Sequence, residues 1–327
     1  MILVTGGAGF IGSNLAATLA EAGHEVAICD RFGAEQKWRN VAKIDLADVV
    51  APEDMLLWLE RRRGKVDAVV HMGAISSTTE TDVDLIVREN YSLSRSLWDF
   101  AARGGVRFIY ASSAATYGDG AAGFDDDASR AALAKLRPLN PYGWSKQLFD
   151  RFVAREIANG RPQPPQWAGL KFFNVYGPNE YHKGSMKSVV AQIFPRAAVG
   201  ETVTLFRSHN AKYADGGQMR DFIYVRDCAD VVAWLLKTPR AGVLFNLGSG
   251  QARTFLDLAR AVFAALNRKP DIAYVDTPLE IRDKYQYFTE ARMERLRAAG
   301  YASAFTSLED GVGDYVQRYL SASDQYR

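Results

Sequence analysis

Cysteine is scarce in this chain: two residues, Cys29 and Cys228, among 327. They stand far apart inside apolar runs, so each is read as a small buried hydrophobe rather than half of a disulfide or a metal ligand. An excess of one charge is also lacking. With 40 basic and 38 acidic residues the formal net charge is +2, which points to no nucleic-acid and no membrane partner. An anionic small substrate would need only a local basic pocket. No apolar run reaches membrane-spanning length. The apolar beginning has no basic leader and is broken by glycines, so a secretory signal is not expected and a cytoplasmic location is the simplest. Internal repeats and low-complexity tracts are absent, and the charge runs at 61–63 and 125–127 read as a solvated helix end and a loop.

What is present begins at the first residues. Ile2–Thr5 is a short apolar run that reads as a buried strand. Gly6, Gly9 and Gly12 follow in a G-x-x-G-x-x-G spacing that includes Phe10 and Ile11. Residues 13–22 carry apolar positions at helical spacing, and residues 25–29 form a second strand ending at Asp30. Strand, glycine turn, helix, strand and acid together form a dinucleotide-binding unit. The glycines let backbone lie against a pyrophosphate, the helix start holds the anion, and the acid accepts from a ribose hydroxyl. Arg31 and Lys37 come next. A cation beside the ribose acid favours the 2′-phosphate of NADP, whereas Asp30 alone favours NAD; the expectation leans to NADP, with NAD possible.

Apolar residues make up 48% of the chain, enough for a core in one large or two modest domains. Further strands are expected at 41–45, 67–71, 106–110 and 170–175, and helices at 52–63 and 82–103. This alternation predicts an α/β fold with a doubly wound parallel sheet of Rossmann type. His71 ends a buried strand and is expected to be packed and hydrogen-bonded, without a catalytic role. Beyond residue 178 the alternation weakens. An irregular segment with one helix near 188–199 precedes a strand at 220–227, in which Asp227 is expected to cap the next helix. Thr254 and Asp257 have capping-box spacing. We expect a smaller second α/β domain for substrate. The Rossmann part would span 1–175 plus about 219–245, and the substrate part about 176–218 plus 246–327.

The strand at 106–110 opens into a stretch containing Ser113, and some thirty residues later come Tyr142 and Lys146. The Y-x-x-x-K spacing puts phenol and ammonium on one helix face. A phenol is a poor base at neutral pH, and a nearby cation favours its ionised form. Ser113, Tyr142 and Lys146 therefore make a hydride-transfer site. Lys183 follows a glycine-proline turn; from the residues alone it reads either as a second acid/base group or as a lysine that binds substrate phosphate or faces solvent. Arg220 is suited to a pyrophosphate, because a guanidinium fork matches an oxygen pair.

These motifs resemble the extended short-chain dehydrogenase/reductase superfamily and its sugar-nucleotide epimerases. The stretches from Gly73 to Glu80 and from Phe173 to Met186 are similar to the ADP-L-glycero-D-manno-heptose 6-epimerase family. The resemblance implies an NADP-dependent isomerase that inverts C6″ of an ADP-heptose by transient oxidation and re-reduction, for lipopolysaccharide core biosynthesis, and a homo-oligomer, pentameric in the family's known case. It implies Tyr142 and Lys183 as acid/base residues, supported by Ser113 and Lys146. Around the cofactor it places Phe10, Ile11, Asp30, Arg31, Lys37, Met72, Gly73, Ala74, Ile75, Ser76, Asn90 and Val175, besides the glycines, Lys146 and Lys183. Around the substrate it places Ser113, Asn174, Ser185, Phe206, Arg220 and Tyr285. Met72 stands where the family often has an acid, and the loop at 209–218 is longer than in some members. A UDP-hexose 4-epimerase would share the sheet, Ser113, Tyr142 and Lys146 but does not need Lys183. A 4,6-dehydratase wants an acid near Ser113, and a non-catalytic NADP-binding sensor usually loses the tyrosine or the lysine.

Overall fold

Seven strands form the central sheet of the computed structural model, which describes residues 1–34, 36–238, 242–282 and 286–327. In chain order the strands of the molecule are β1 Ile2–Thr5, β2 Val26–Cys29, β3 Asp48–Val50, β4 Ala68–His71, β5 Arg107–Ser113, β6 Trp167–Phe172, β7 Asn174–Tyr176, β8 Val203–Phe206, β9 Met219–Tyr224, β10 Val243–Leu247, β11 Ala252–Thr254 and β12 Ile272–Val275. The central sheet runs β3-β2-β1-β4-β5-β6-β10, all neighbours parallel. It is the doubly wound sheet that the alternation predicted. Strand order reverses between β1 and β4, and ligands of such sheets bind at the carboxyl ends beside that point.

Successive strand residues face opposite sides, so one sheet feeds two cores. Leu3, Val69 and Phe108 pack with Trp98, Phe149 and Phe152 on one side. Val4, Val70 and Ile109 pack with Leu15, Val231 and Leu235 on the other. Cys29 and Cys228 are buried free thiols, one in each layer.

Several expected boundaries move. The first helix is Phe10–Glu21, so Phe10, Ile11 and Gly12 already belong to it. The strand expected at 41–45 is a series of turns, with Val41 N–H donating to Trp38 and Ile44 N–H to Val41. Val41 is buried there while Ala42 and Lys43 face water, which is not strand alternation. The third strand is instead β3, paired with β2. The helix expected at 82–103 contains a widened π-turn, Val87–Ser92, between Val83–Ile86 and Leu93–Gly104. Asp227 does not cap its helix: Val225–Lys237 begins before it, and its carboxylate accepts from Thr306 N–H at 2.9 Å and Oγ1 at 2.8 Å. Thr254 forms the expected capping box with Asp257.

The strand expected at 170–175 divides. β6 stays in the central sheet, whereas β7 joins β9 and β11 in a three-stranded sheet. That sheet, the β8–β12 pair and the helices Val189–Val199, Phe255–Ala265 and Leu308–Tyr315 enclose a third apolar cluster around Tyr176, Val190, Leu205, Val262 and Tyr315. Among the described residues no helix is long and apolar enough to cross a membrane.

Candidate active site

The glycine turn leaves the end of β1 and enters the first helix. Gly6 has φ +63°, a conformation that side chains rarely adopt. A Cβ there would meet Gly73 backbone at 2.7 Å, and one on Gly12 would lie 2.0 Å from the Gly6 carbonyl oxygen. Loop and helix start are thus held at a spacing that side chains would fill, with the first N–H groups of the helix at the mouth. This cradle fits a dinucleotide pyrophosphate. Asp30 at the end of β2 accepts from Ala8 N–H at 2.9 Å and from Lys37 Nζ at 2.6 Å. Arg31 is turned to two other carboxylates, Glu53 at 2.6 Å and Glu89 at 3.3 Å.

Met72, Gly73, Ala74, Ile75 and Ser76 form the turn after β4. His71, just before it, is 2% exposed, lies 2.6 Å from Thr5 Oγ1 and 2.9 Å from Ser94 Oγ, and stays neutral: burial pushes its pKa down to about 3. Asn90 sits behind the turn. Its Oδ1 accepts from Ile75 N–H at 2.8 Å, and its Nδ2 donates to Ile75 O and to Ser145 Oγ, both at 3.0 Å. Asn90 is 1% exposed, with its side-chain amide engaged by the turn and the Tyr142 helix. These bonds support the turn on which the resemblance places the cofactor. The π-turn that carries Asn90 inward is of a kind frequent at functional sites.

Tyr142 and Lys146 lie on the helix Pro141–Ala158, whose Asn140 side chain caps its start. The Lys146 ammonium is 6.0 Å from the Tyr142 ring centre and donates to Ala111 O at 2.9 Å. Burial pushes its pKa down to about 8, and the Asp150 carboxylate works against that fall. Burial also raises the Tyr142 phenol, which the Ser113 hydroxyl partly offsets. Ser113 closes β5 and accepts from Ala115 N–H at 3.1 Å.

Lys183 is on the 3-10 turn Tyr181–Met186, and its ammonium stands 5.4 Å from the Phe10 ring centre. The structure thus brings the second acid/base candidate against the glycine turn. Burial lowers its pKa, and the nearby Glu180 carboxylate opposes the change. Asn179 directs the segment there with φ 74°, its Nδ2 donating to Ser13 Oγ at 3.0 Å and to Asn40 O at 3.3 Å. Asn40 in turn donates to Ala8 O at 2.9 Å. The segments around Asn40 and Asn179, distant in sequence, are locked to the loop and helix start in this way. The Pro178-Asn179 pair signals a turn, but nothing local in the sequence names its partners.

Asn174 and Val175 lie on β7, Asn174 exposed and Val175 half-buried, and Ser185 is exposed on the Lys183 turn. Arg220 on β9 stacks over Phe255 at 5.7 Å. The neighbouring Asp221 anchors β9 by accepting from Ser249, Gly250 and Ala291 N–H groups. Phe206 ends β8. Tyr285 lies outside the described residues.

With this geometry in view, the sequence pattern of the NAD dependent epimerase/dehydratase family matches residues 2–248. The chain belongs to that family. A relative from Nitratidesulfovibrio vulgaris (strain DP4), named ADP-L-glycero-D-manno-heptose-6-epimerase, is 50% identical over the full length of both chains. A crystal structure of the Helicobacter pylori protein of that name aligns with a TM-score of 0.79 at 29% identity, covering 98% of this chain and 96% of that one. UDP-glucose 4-epimerase of Thermus thermophilus, in complex with NAD, aligns at 0.76 and 26%, covering 98% and 99%. In an epimerase/dehydratase family member, the glycine cradle, Tyr142 and Lys146 occupy the crevice end of the sheet. Asp150, Asn179 and Glu53 are the site residues that sequence reasoning passed over.

Proposed function

We propose that this protein is an ADP-L-glycero-D-manno-heptose 6-epimerase, inverting C6″ of ADP-D-glycero-D-manno-heptose in the cytoplasm for lipopolysaccharide core biosynthesis. The observation that carries the proposal is the seating of Lys183 against Phe10, the first residue of the helix that follows the glycine turn, in a chain 50% identical over its full length to a relative of that name. A bound nicotinamide dinucleotide supplies a hydride acceptor and donor at the crevice. Tyr142, flanked by the Lys146 ammonium and the Ser113 hydroxyl, takes or gives the proton on one side of the substrate carbinol. Lys183 does so for the other orientation, after the ketone has turned in the pocket. Proton transfer needs hydrogen-bond reach, which is why two groups are required. Arg220 and the segments 176–218 and 246–327, read as the substrate domain, would hold the nucleotide-sugar, in a homo-oligomer as the family resemblance implies.

Incubation with ADP-D-glycero-D-manno-heptose in heavy water tests this. We expect the L-glycero epimer by chromatography, with no deuterium at C6″, because the same hydrogen returns. Deuterium at C6″, or turnover of UDP-glucose with the heptose untouched, overturns it.

For the cofactor, the sequence leaned to NADP on Arg31 and Lys37. Three carboxylates, Asp30, Glu53 and Glu89, engage these two cations, which supports NAD instead: a 2′-phosphate would have to displace carboxylates from Arg31. Fluorescence titration of nucleotide-free protein is expected to give NADH at least about tenfold tighter than NADPH. The double variant E53Q/E89Q, which frees Arg31, should narrow that gap. Equal affinities in the unaltered protein would restore the NADP assignment.

A further inference from the structure

Directly behind the reactive pair lies a second charged pair, fully enclosed. Asp150 follows Lys146 by one helical turn, on the same face. It and Lys171 of β6 are both 0% exposed in their side chains and lie 3.0 Å apart. Asp150 also accepts from Ser112 Oγ at 2.7 Å and from the Tyr110 hydroxyl at 3.0 Å, both on β5. Lys171 donates to Thr116 Oγ1 at 2.6 Å, and Thr116 Oγ1 donates to Ser113 O at 2.8 Å. Lys146 itself donates to Ala111 O, between those two β5 residues. The end of β5 that presents Ser113 is therefore gripped at Tyr110, Ala111, Ser112 and Ser113 by one network.

We propose that Asp150 and Lys171 are positioning residues for proton transfer. Together they seat the Lys146 ammonium beside Tyr142 and fix the strand end that carries Ser113. The assignment rests on Tyr142 and Lys146 being the proton-handling pair. Lys146 is faced by Tyr142 and Asp150 from its own helix and by the neutral His71 from β4, while Tyr110 of β5 and Lys171 of β6 reach Asp150. Asp150 is the anion among them. It supports the charged form of Lys146 against a burial that drives its pKa down to about 8. Lys171 tempers that anion, so the pair acts as a balanced dipole rather than a bare charge.

The signs separate this from a merely structural role. Activity that requires the Lys146 ammonium falls as pH rises through its pKa. Asp150→Asn removes the anion and leaves Lys171, so the alkaline limb of the kcat profile should move down by about one pH unit. Lys171→Met removes the tempering cation, and the limb should move up. The double variant D150N/K171M carries neither charge and should keep the limb near that of the unaltered enzyme, with kcat lowered roughly tenfold or more by a loosened Ser113 and KM kept. Either single variant leaves one buried charge unpartnered and will melt earlier. The double variant has no such charge and tests the proposal alone should the singles not fold. Overlaid pH profiles, single variants shifting the same way, or an unchanged kcat in the double variant would overturn the assignment. Tyr142→Phe in the same assay keeps the two failures apart: full activity there would refute the proton-handling pair itself.

Discussion

Tyr142→Phe is expected to lower epimerisation about 10²–10⁴-fold while nucleotide binding and melting temperature stay close to those of the unaltered protein. The substitution removes one oxygen from a ring that is otherwise retained beside Lys146. Among the described residues the phenol interacts with Ser113 rather than with the glycine cradle, so binding is expected to persist. The oxygen is needed because of the charge logic around it. Burial raises the phenol and lowers Lys146 to about 8, so it favours the neutral form of each. A phenolate therefore depends on the ammonium beside it. In the proposed mechanism that counter-charge lets a proton pass between the phenol and the substrate oxygen without a large penalty at either end. Above about pH 8 the ammonium is lost and with it the partner of the phenolate, so activity falls on the alkaline side. Single-turnover rates with and without the hydroxyl, alongside a thermal melt, check this. Undiminished turnover removes Tyr142 from the chemistry.

Much of this site was legible because its signals are local. Strand, glycine spacing, helix and Asp30 occupy thirty consecutive residues, and each has its own steric or electrostatic reason. Tyr142 and Lys146 are one helical turn apart, and that spacing fixes their common face. The capping box at Thr254 is local in the same sense, and it formed as expected. What stayed hidden depends on contacts between distant segments. Arg31 looked available to a phosphate because Glu53 and Glu89, its partners, lie 22 and 58 residues away. Asn90 was expected beside the cofactor, but its bonds to Ile75, set by a π-turn that no periodicity announces, could not be read from the sequence. Lys171 sits inside a strand that is buried throughout, where a lysine would be expected only with a partner; that partner, Asp150, lies on another element. The misplaced third strand has a similar origin. Val41 is buried by tertiary packing around the first helix rather than by a sheet, so its apolar character indicated burial without indicating which element carried it.

Lys183→Met is expected to abolish net epimerisation to a similar degree, about 10²–10⁴-fold, but to leave one half-reaction intact. Met retains an unbranched apolar stem that can pack on Phe10, so the turn held by Asn179 and Glu180 should survive. What disappears is the ammonium, whose pKa burial lowers against the opposing Glu180 carboxylate. If Tyr142 serves one orientation of the sugar and Lys183 the other, then in K183M one epimer should still reduce the bound nucleotide, seen by its near-ultraviolet absorbance, and the other should not. In Y142F the pattern should reverse. This complementarity distinguishes an acid/base role from simple binding of substrate phosphate, since loss of a phosphate contact would weaken both epimers alike and raise KM for each. Equal, rapid reduction by both epimers in K183M would leave Tyr142 serving both faces, and a single proton relay would then have to reach a substrate that turns over above it.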